Sequence, residues 1–356
     1  MEIADRPLKG RGAVSNRAGR YEPEETRRID DGWDVDDDLP PLRTTVSVDA
    51  SRSVITRNTS PDIGFDRSIN AYRGCEHGCV YCFARPTHAF LGLSPGLDFE
   101  SRLFAKPEAP ALLRRELANP RYRPATIAMG TNTDPYQPIE REYKITRGLL
   151  EVLAEAEHPV SIATKSALVL RDLDILGPMA AKGLASVGVS VTTLDRGLAR
   201  SLEPRAPTPP RRLATIRGLS QAGVPTAVMA APMIPALNDH ELEPILEASA
   251  EAGAQLAAYV LLRLPLEIKD LFREWLEAHA PDRAQRVLNR LRETRGGALY
   301  DGRFGTRMRG EGVHADLLEG RFTRACKRLG LNRRHYTLDT TRFKRPPPDT
   351  RQLTLL

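Results

Sequence analysis

The 356-residue chain predicts an α/β fold in which six strand–helix units build a parallel sheet covered by helices. Three observations carry this. Short apolar runs rich in valine, isoleucine and alanine alternate with amphipathic stretches of helical length between residues 68 and 262. The joints between them are short and hold residues that start or stop helices. Parallel neighbours also need crossovers of about a dozen residues or more, and the intervals here suit helical crossovers.

In chain order, residues 1–43 are rich in charge, glycine and proline, with basic Lys9-Gly10-Arg11-Gly12 and acidic Asp30-Asp31 and Asp36-Asp37-Asp38. So little apolar surface does not offset the entropy of ordering, which predicts a disordered or draped N-terminal segment. Val46, Val48, Val54 and Ile55 predict a short hairpin turning at Asp49-Ala50-Ser51. Ile69-Asn70-Ala71-Tyr72 reads as the first strand of the repeat. A helix over 108–118 follows, stopped by Asn119-Pro120, and Thr126-Ile127-Ala128-Met129 is the second strand. Ile145, Leu149 and Leu153 mark one face of a helix over 142–156. A third strand over 160–163 leads to a helix over 168–182, broken near Gly177-Pro178, and a fourth strand over 187–191. Thr208 and Pro209 start the next helix and Gly223 ends it. The fifth strand over 226–230, a helix over 239–252 and the sixth strand over 256–262 complete the repeat.

Residues 266–356 predict a basic helical extension. Leu271, Phe272, Trp275 and Leu276 recur at helical spacing and predict a face docked on the preceding core. Arginines interleaved with Phe304, Tyr336 and Phe343 have the composition of a nucleic-acid face, but ordinary surface helices share it and are the favoured reading. Cys326, beside Ala325 and one turn from Phe322, predicts a buried thiol. The organisation expected is therefore 1–60 irregular, 61–265 core and 266–356 extension. No apolar run is long enough for a membrane span and no secretory core opens the chain, so a cytoplasmic location is expected. The net charge of +6 is only weakly suggestive of a polyanionic partner.

Three of the four cysteines fall in Cys75-Glu76-His77-Gly78-Cys79-Val80-Tyr81-Cys82. This is not a disulfide framework. Thiolates so close on a short loop point to a soft, thiolate-seeking metal centre. Tetrahedral zinc takes four closed ligands, usually as two pairs, and a second pair is missing. A four-iron cluster takes four cysteines, so three leave one iron open to an exogenous molecule. A zinc or redox-sensing cysteine cluster is the alternative reading of the same loop.

With Tyr81 at the aromatic position, the C-x3-C-x-(aromatic)-C spacing resembles the radical SAM superfamily. The resemblance implies an open, partial (β/α)6 barrel over residues 61–265, with a [4Fe–4S] cluster held by Cys75, Cys79 and Cys82. It also implies S-adenosyl-L-methionine (SAM) as cofactor, chelated by the free iron and cleaved to a 5′-deoxyadenosyl radical. A reductant such as flavodoxin or ferredoxin would supply the electron.

Sites of such barrels gather at the C-terminal ends of the strands. The resemblance places groups for the methionine amine at Thr131, Asn132 and Asp134, all able to accept from an ammonium. Thr164-Lys165 matches a Thr-Lys pair of the spore photoproduct lyase branch, which implies that Lys165 faces the cofactor carboxylate. Ser190 on strand four is a further cofactor contact, and Arg205 in Glu203-Pro204-Arg205-Ala206-Pro207 offers a carboxylate a bidentate fork. The segment 231–239 resembles the one that packs on adenine, through the backbone at Met233-Ile234, while Asn238 and Asp239 suit helix capping. Spore photoproduct lyases carry a hydrogen-donating cysteine at the end of strand two, where this chain has Met129-Gly130. The expected function is a radical SAM enzyme with an unidentified substrate, nucleic acid being one candidate. The alternatives are a nucleic-acid-binding iron–sulfur protein without turnover and a metal-stabilised scaffold.

Overall fold

A computed structural model describes residues 5–22, 42–334 and 336–347. The acidic block at 30–38 lies outside the described residues. Two strands form where the valines predict them, β1 (Thr45–Val48) and β2 (Ile55–Arg57), but they do not pair as a hairpin. β1 runs parallel to a later strand, Arg102–Ala105, whereas β2 runs antiparallel to β3 (Arg67–Ile69). Side-chain anchors explain the divergence. Asp49 pairs with Arg73, and the Val54 amide donates to the Glu116 carboxylate at 2.6 Å, so each strand is drawn to a different neighbour.

The expected first strand is likewise divided. β3 ends at Ile69, and β4 (Tyr72–Arg73) joins β1 and β5 (Arg102–Ala105) in a three-stranded sheet ordered β1-β5-β4. Asn70 sits between the two and donates to Thr131 Oγ1 at 3.0 Å. The main sheet adds β6 (Ile127–Met129), β7 (Val160–Thr164), β8 (Ala185–Ser190), β9 (Thr226–Met233) and β10 (Leu256–Leu261). Its order is β10-β9-β8-β7-β6-β3-β2, parallel except at the β2 edge. Six parallel strands thus carry the repeat.

The helices are α1 (Asp98–Ser101), α2 (Ala109–Ala118), α3 (Glu140–Tyr143), α4 (Ile145–Glu155), α5 (Leu173–Ala181), α6 (Arg196–Leu202), α7 (Pro209–Gln221) and α8 (Leu242–Glu251). The helix expected over 142–156 is interrupted at Lys144, where φ is +50°. The one expected over 168–182 breaks before Leu173 rather than at Pro178, which lies inside α5 at the loss of one backbone hydrogen bond. Asp172, bonded by Arg147 and Arg171, fixes the earlier break.

Along β7 and β8 burial alternates. Val160, Ile162, Val187 and Val189 are buried, whereas Ser161, Ala163, Ser186 and Gly188 are small and partly open. Ser186 Oγ bonds Ser161 Oγ at 3.3 Å, so these small residues share one face.

The extension supplies α9 (Ile268–His279), α10 (Pro281–Glu293) and α11 (Val313–Leu329). Leu271, Phe272, Trp275 and Leu276 do form its docking face: the last three are buried in one cluster with Val287, Leu291, Val80, Tyr81 and Ile234. Cys326 is buried in the main core, and burial raises its thiol to about 11.

Between α10 and α11 the chain crosses from one edge of the main sheet to the other. Leu261 at the end of β10 donates its amide to the Met308 carbonyl at 2.8 Å. Gly305 donates its amide to Asp62 at 2.7 Å, and Arg307 bonds both Asp62 and Ser60 in the loop after β2. This latch joins the two edges that the open sheet leaves apart. Arg307→Ala should therefore speed amide exchange across residues 303–310 and 58–64 with little effect on β7 and β8. Exchange followed by mass spectrometry checks this, and equal acceleration in all segments would contradict it.

Candidate functional site

The cysteine loop lies over the C-terminal ends of the main strands and is tied to the segments that follow β6 and β8. The segment after β6 holds its start: Thr133 Oγ1 and Gln137 Nε2 donate to the Gly74 carbonyl, and the Glu76 amide donates to Gln137 Oε1 at 2.9 Å. His77 Nδ1 stands 3.3 Å from Asp134. On the far side the Val80 amide donates to the Leu202 carbonyl and the Arg205 amide to the His77 carbonyl. Gly78 takes φ +67°, and its amide closes a turn on the Cys75 carbonyl.

Beneath the loop lies a buried ion pair that sequence reading missed. Arg85 donates to the carbonyls of Cys79 (2.9 Å), Gly78 (3.2 Å), Pro95 (3.0 Å) and Gly96 (2.8 Å), and to Glu100. Both side chains are wholly buried. Glu100 also accepts the amides of Gly12 at 2.9 Å and Ala13 at 2.8 Å, while Arg11 donates to the Glu100 carbonyl. The N-terminal segment is therefore draped into the site over 11–15, all of it buried. A Cβ at Gly12 would lie 1.8 Å from the Gly78 carbonyl oxygen. The Gly-Arg-Gly-Ala run, small residues around one arginine, was the available signal.

A second buried network stands beside the loop. Glu203 accepts from Tyr81, Arg212 and Thr192, and the Lys165 ammonium lies 4.0 Å from it. Burial alone would raise the Glu203 carboxyl, but Arg212 and Lys165 bring it down to about 2. Lys165 also sits 5.7 Å from the centre of the Tyr81 ring. Burial opposes its charge, yet Cys79 and Glu203 raise its pKa. Glu203 thus does not neutralise Arg205. Arg205 pairs with Glu76 at 2.9 Å and remains part-exposed at the rim.

The other expected cofactor contacts differ in how open they are. Thr131 is bonded to Asn70, and Asn132 is exposed with its amide on Asn70 Oδ1. Asp134 accepts from Thr164 Oγ1 at 2.7 Å, the Lys165 amide at 2.8 Å and the Tyr136 amide at 2.9 Å. Burial would raise its carboxyl, but His77 and these donors hold it at about 2. Asp134 therefore binds the loop to β7 whatever else it touches. Ser190 is buried at the end of β8, its carbonyl accepting from Arg212. Met233 and Ile234 are fully buried; the Met233 carbonyl accepts from Leu262 and the Ile234 amide donates to Asn238 Oδ1. Asn238 joins the ends of β8 and β9 through the Thr192 and Pro232 carbonyls rather than capping the next helix. Gly130, at φ +91°, leaves a Cβ 2.0 Å from the Ala163 carbonyl oxygen, so no side chain fits there.

The donor set suits an iron–sulfur cluster. Cys75, Cys79 and Cys82 are all free thiols, the first two buried. Burial, and after it Asp134 and Cys79, push Cys75 up; burial pushes Cys79 up to about 12 against the pull of Lys165, with Cys82 adding to the rise. Thiolates that repel one another in a buried loop are stabilised by a shared cation. Among the described residues no three His, Cys, Asp or Glu side chains converge as ligands of one metal ion would. Cysteines of a four-iron cluster each bind a different iron.

Comparison with known proteins agrees with this geometry. The family described as the radical SAM superfamily matches residues 69–248. An uncharacterised protein of Mycobacterium tuberculosis is 41% identical over 231 residues, covering 64% of this chain and 67% of its own. One of Methanocaldococcus jannaschii is 28% identical over 222 residues, covering 62% and 79%. A structure of spore photoproduct lyase complexed with dinucleoside spore photoproduct has a TM-score of 0.57 at 15% identity and 80% coverage of each chain. Another, with AdoMet bound as well, has a TM-score of 0.56. At that identity the likeness is one of fold.

The contact between Gly12 and the cysteine loop is directly testable. Gly12→Ala should destabilise the protein by about 1–3 kcal/mol, the range for forcing atoms into a packed site. Gly64→Ala, whose Cβ meets nothing within 4 Å, should be neutral. Denaturant unfolding of both variants checks this, and equal midpoints would show that the N-terminal segment does not bear on the loop.

Proposed function

Because the chain belongs to the radical SAM superfamily, we propose that it reductively cleaves SAM at a [4Fe–4S] cluster, yielding methionine and a 5′-deoxyadenosyl radical that abstracts hydrogen from a substrate other than the spore photoproduct. Cys75, Cys79 and Cys82 would hold the cluster. The observation that carries the reading is the three-thiol loop set over the strand ends beside a part-buried ammonium, Lys165.

Each neighbour then has a task. Lys165, at the end of β7 and near Glu203, offers charge to the methionine carboxylate. Tyr81 and Glu203 hold that ammonium in place from below. Asn132 and Thr131 are the acceptors open to the methionine amine, since the Asp134 oxygens already serve Thr164, Lys165 and Tyr136. The small residues Ser161, Ala163, Ser186 and Gly188 leave room in the barrel for cofactor and substrate. Arg205 is at the rim and Ser190 at the end of β8 as further candidate contacts, and the burial of Met233 and Ile234 suits a supporting wall for adenine.

The exclusion of the spore photoproduct rests on Gly130. A donor cysteine there would require Cβ inside the β7 backbone, so a hydrogen atom would have to return from elsewhere. The extension gives little support to a nucleic-acid substrate: Arg303, Arg307, Arg309, Arg321 and Arg328 are all held by carboxylates.

Anaerobically reconstituted protein should bind about four irons and give an EPR signal that SAM perturbs. The Cys75→Ala, Cys79→Ala and Cys82→Ala variants should each lose both, and a triple variant with its full iron complement would defeat the assignment.

Lys165→Ala should keep its iron, because lysine is not a ligand, yet bind SAM more weakly by about 1–3 kcal/mol, the cost of losing a charged hydrogen bond. Calorimetry on the reconstituted variant measures this. Unchanged affinity would remove Lys165 from the cofactor site.

A further inference from the structure

Just past the C-terminal end of β10, Arg263 stands beside the cysteine loop. Its guanidinium carbon is 5.3 Å from the ring centre of Phe83, the residue that follows Cys82, and that ring is half-exposed. Among the described residues the buried guanidiniums of Arg85, Arg212 and Arg67 each meet a carboxylate, Glu100, Glu203 and Asp66 in turn. Arg263 does not. Among the described residues its Nη atoms reach only Met308 Sδ and Tyr300 Oη, both at 3.5 Å, and its buried Nε has no hydrogen-bond partner.

A second guanidinium lies behind it. Arg295 is 2% exposed, donates to the carbonyls of Thr306 and Leu262 at 2.9 Å, and likewise has a buried Nε without a partner. Burial first, and the neighbouring Arg263 second, lower its pKa to about 10. Asp62, Asp301 and Glu311 lie close enough to be felt electrostatically, but Arg307 and Arg303 hold them in ion pairs of their own. A buried and a part-buried cation, side by side without a direct counter-ion, are costly. The planar fork of an arginine fits a carboxylate or phosphate with two parallel hydrogen bonds.

We propose that Arg263 is the specificity residue of the barrel mouth and binds an oxyanion, carboxylate or phosphate, carried by the substrate. The adjoining part of the substrate then lies along Phe83 beside the cysteine loop, and the latch containing Tyr300 and Met308 forms the outer wall. This rests on the barrel mouth being the active site. Arg263 is a binding group here, separate from the cofactor contacts at Lys165.

The test uses reconstituted full-length protein with inorganic phosphate and malonate as separate probes, titrated by calorimetry. Binding of at least one probe is expected, and the preferred one names the source of the oxyanion. Arg263→Gln should weaken it about tenfold or more, as loss of a bidentate charged contact requires, and Arg263→Lys should weaken it less. Arg309→Gln, in a surface pair with Glu319, should leave it unchanged. The bound probe should also protect the Arg263 peptide from phenylglyoxal. SAM affinity and iron content should be as in the parent protein for all three variants. No binding of either probe, or equal binding by Arg263→Gln, overturns the proposal. Loss of SAM affinity in Arg263→Gln also overturns it, by assigning Arg263 to the cofactor. Failure of the parent protein itself to bind SAM would instead strike at the enzymatic reading, whatever the probes do.

Discussion

The buried pair of Arg85 and Glu100 is the interaction on which the cysteine loop depends. All five guanidinium donors of Arg85 are used, four on backbone carbonyls and one on Glu100. Glu100 in turn takes two amides from the N-terminal segment. Neither charge would survive in such a place half-satisfied, since removing one partner of a buried pair costs about 3–5 kcal/mol. Because its partners are backbone atoms of three separate segments, the pair fixes where the chain runs rather than which side chains it carries.

What the sequence made legible was whatever is local. Alternating strands and helices follow from periodicity, and three thiols at fixed spacing need no fold to be seen. Val46 and Ile55 are strand-forming as expected, yet Val46 lies beside Leu103 and Ile55 beside Ile69, pairings that no short-range rule supplies. Arg205 offers a fork to a carboxylate, and Glu203 is the one nearest to it in sequence. The fold instead gives Glu203 to Arg212 and Arg205 to Glu76. A basic, glycine-rich N-terminus reads as disordered or draped without showing where it drapes, because its partner, Glu100, is almost ninety residues away.

The site is assembled from both directions of the chain. Residues 11–15 support the cysteine loop from beneath, and residues 300–310 close the flank of the sheet. Between them, close backbone approach rather than side-chain chemistry sets what is allowed. Gly12 must touch the Gly78 carbonyl, and Gly130 must pass the Ala163 carbonyl. The same sterics that make the barrel tight deny it a side chain at the second position.

The latch across the sheet edges also has a consequence in time. During synthesis the cysteines emerge early and the latch late, separated by roughly 230 residues, or about 10 to 50 s at ordinary rates of translation. Throughout that interval the parallel strands lack the segment that ties their outer edges, so the flank of the nascent barrel stands open. A flank that is closed in the finished molecule is thus approachable while the chain is still being made.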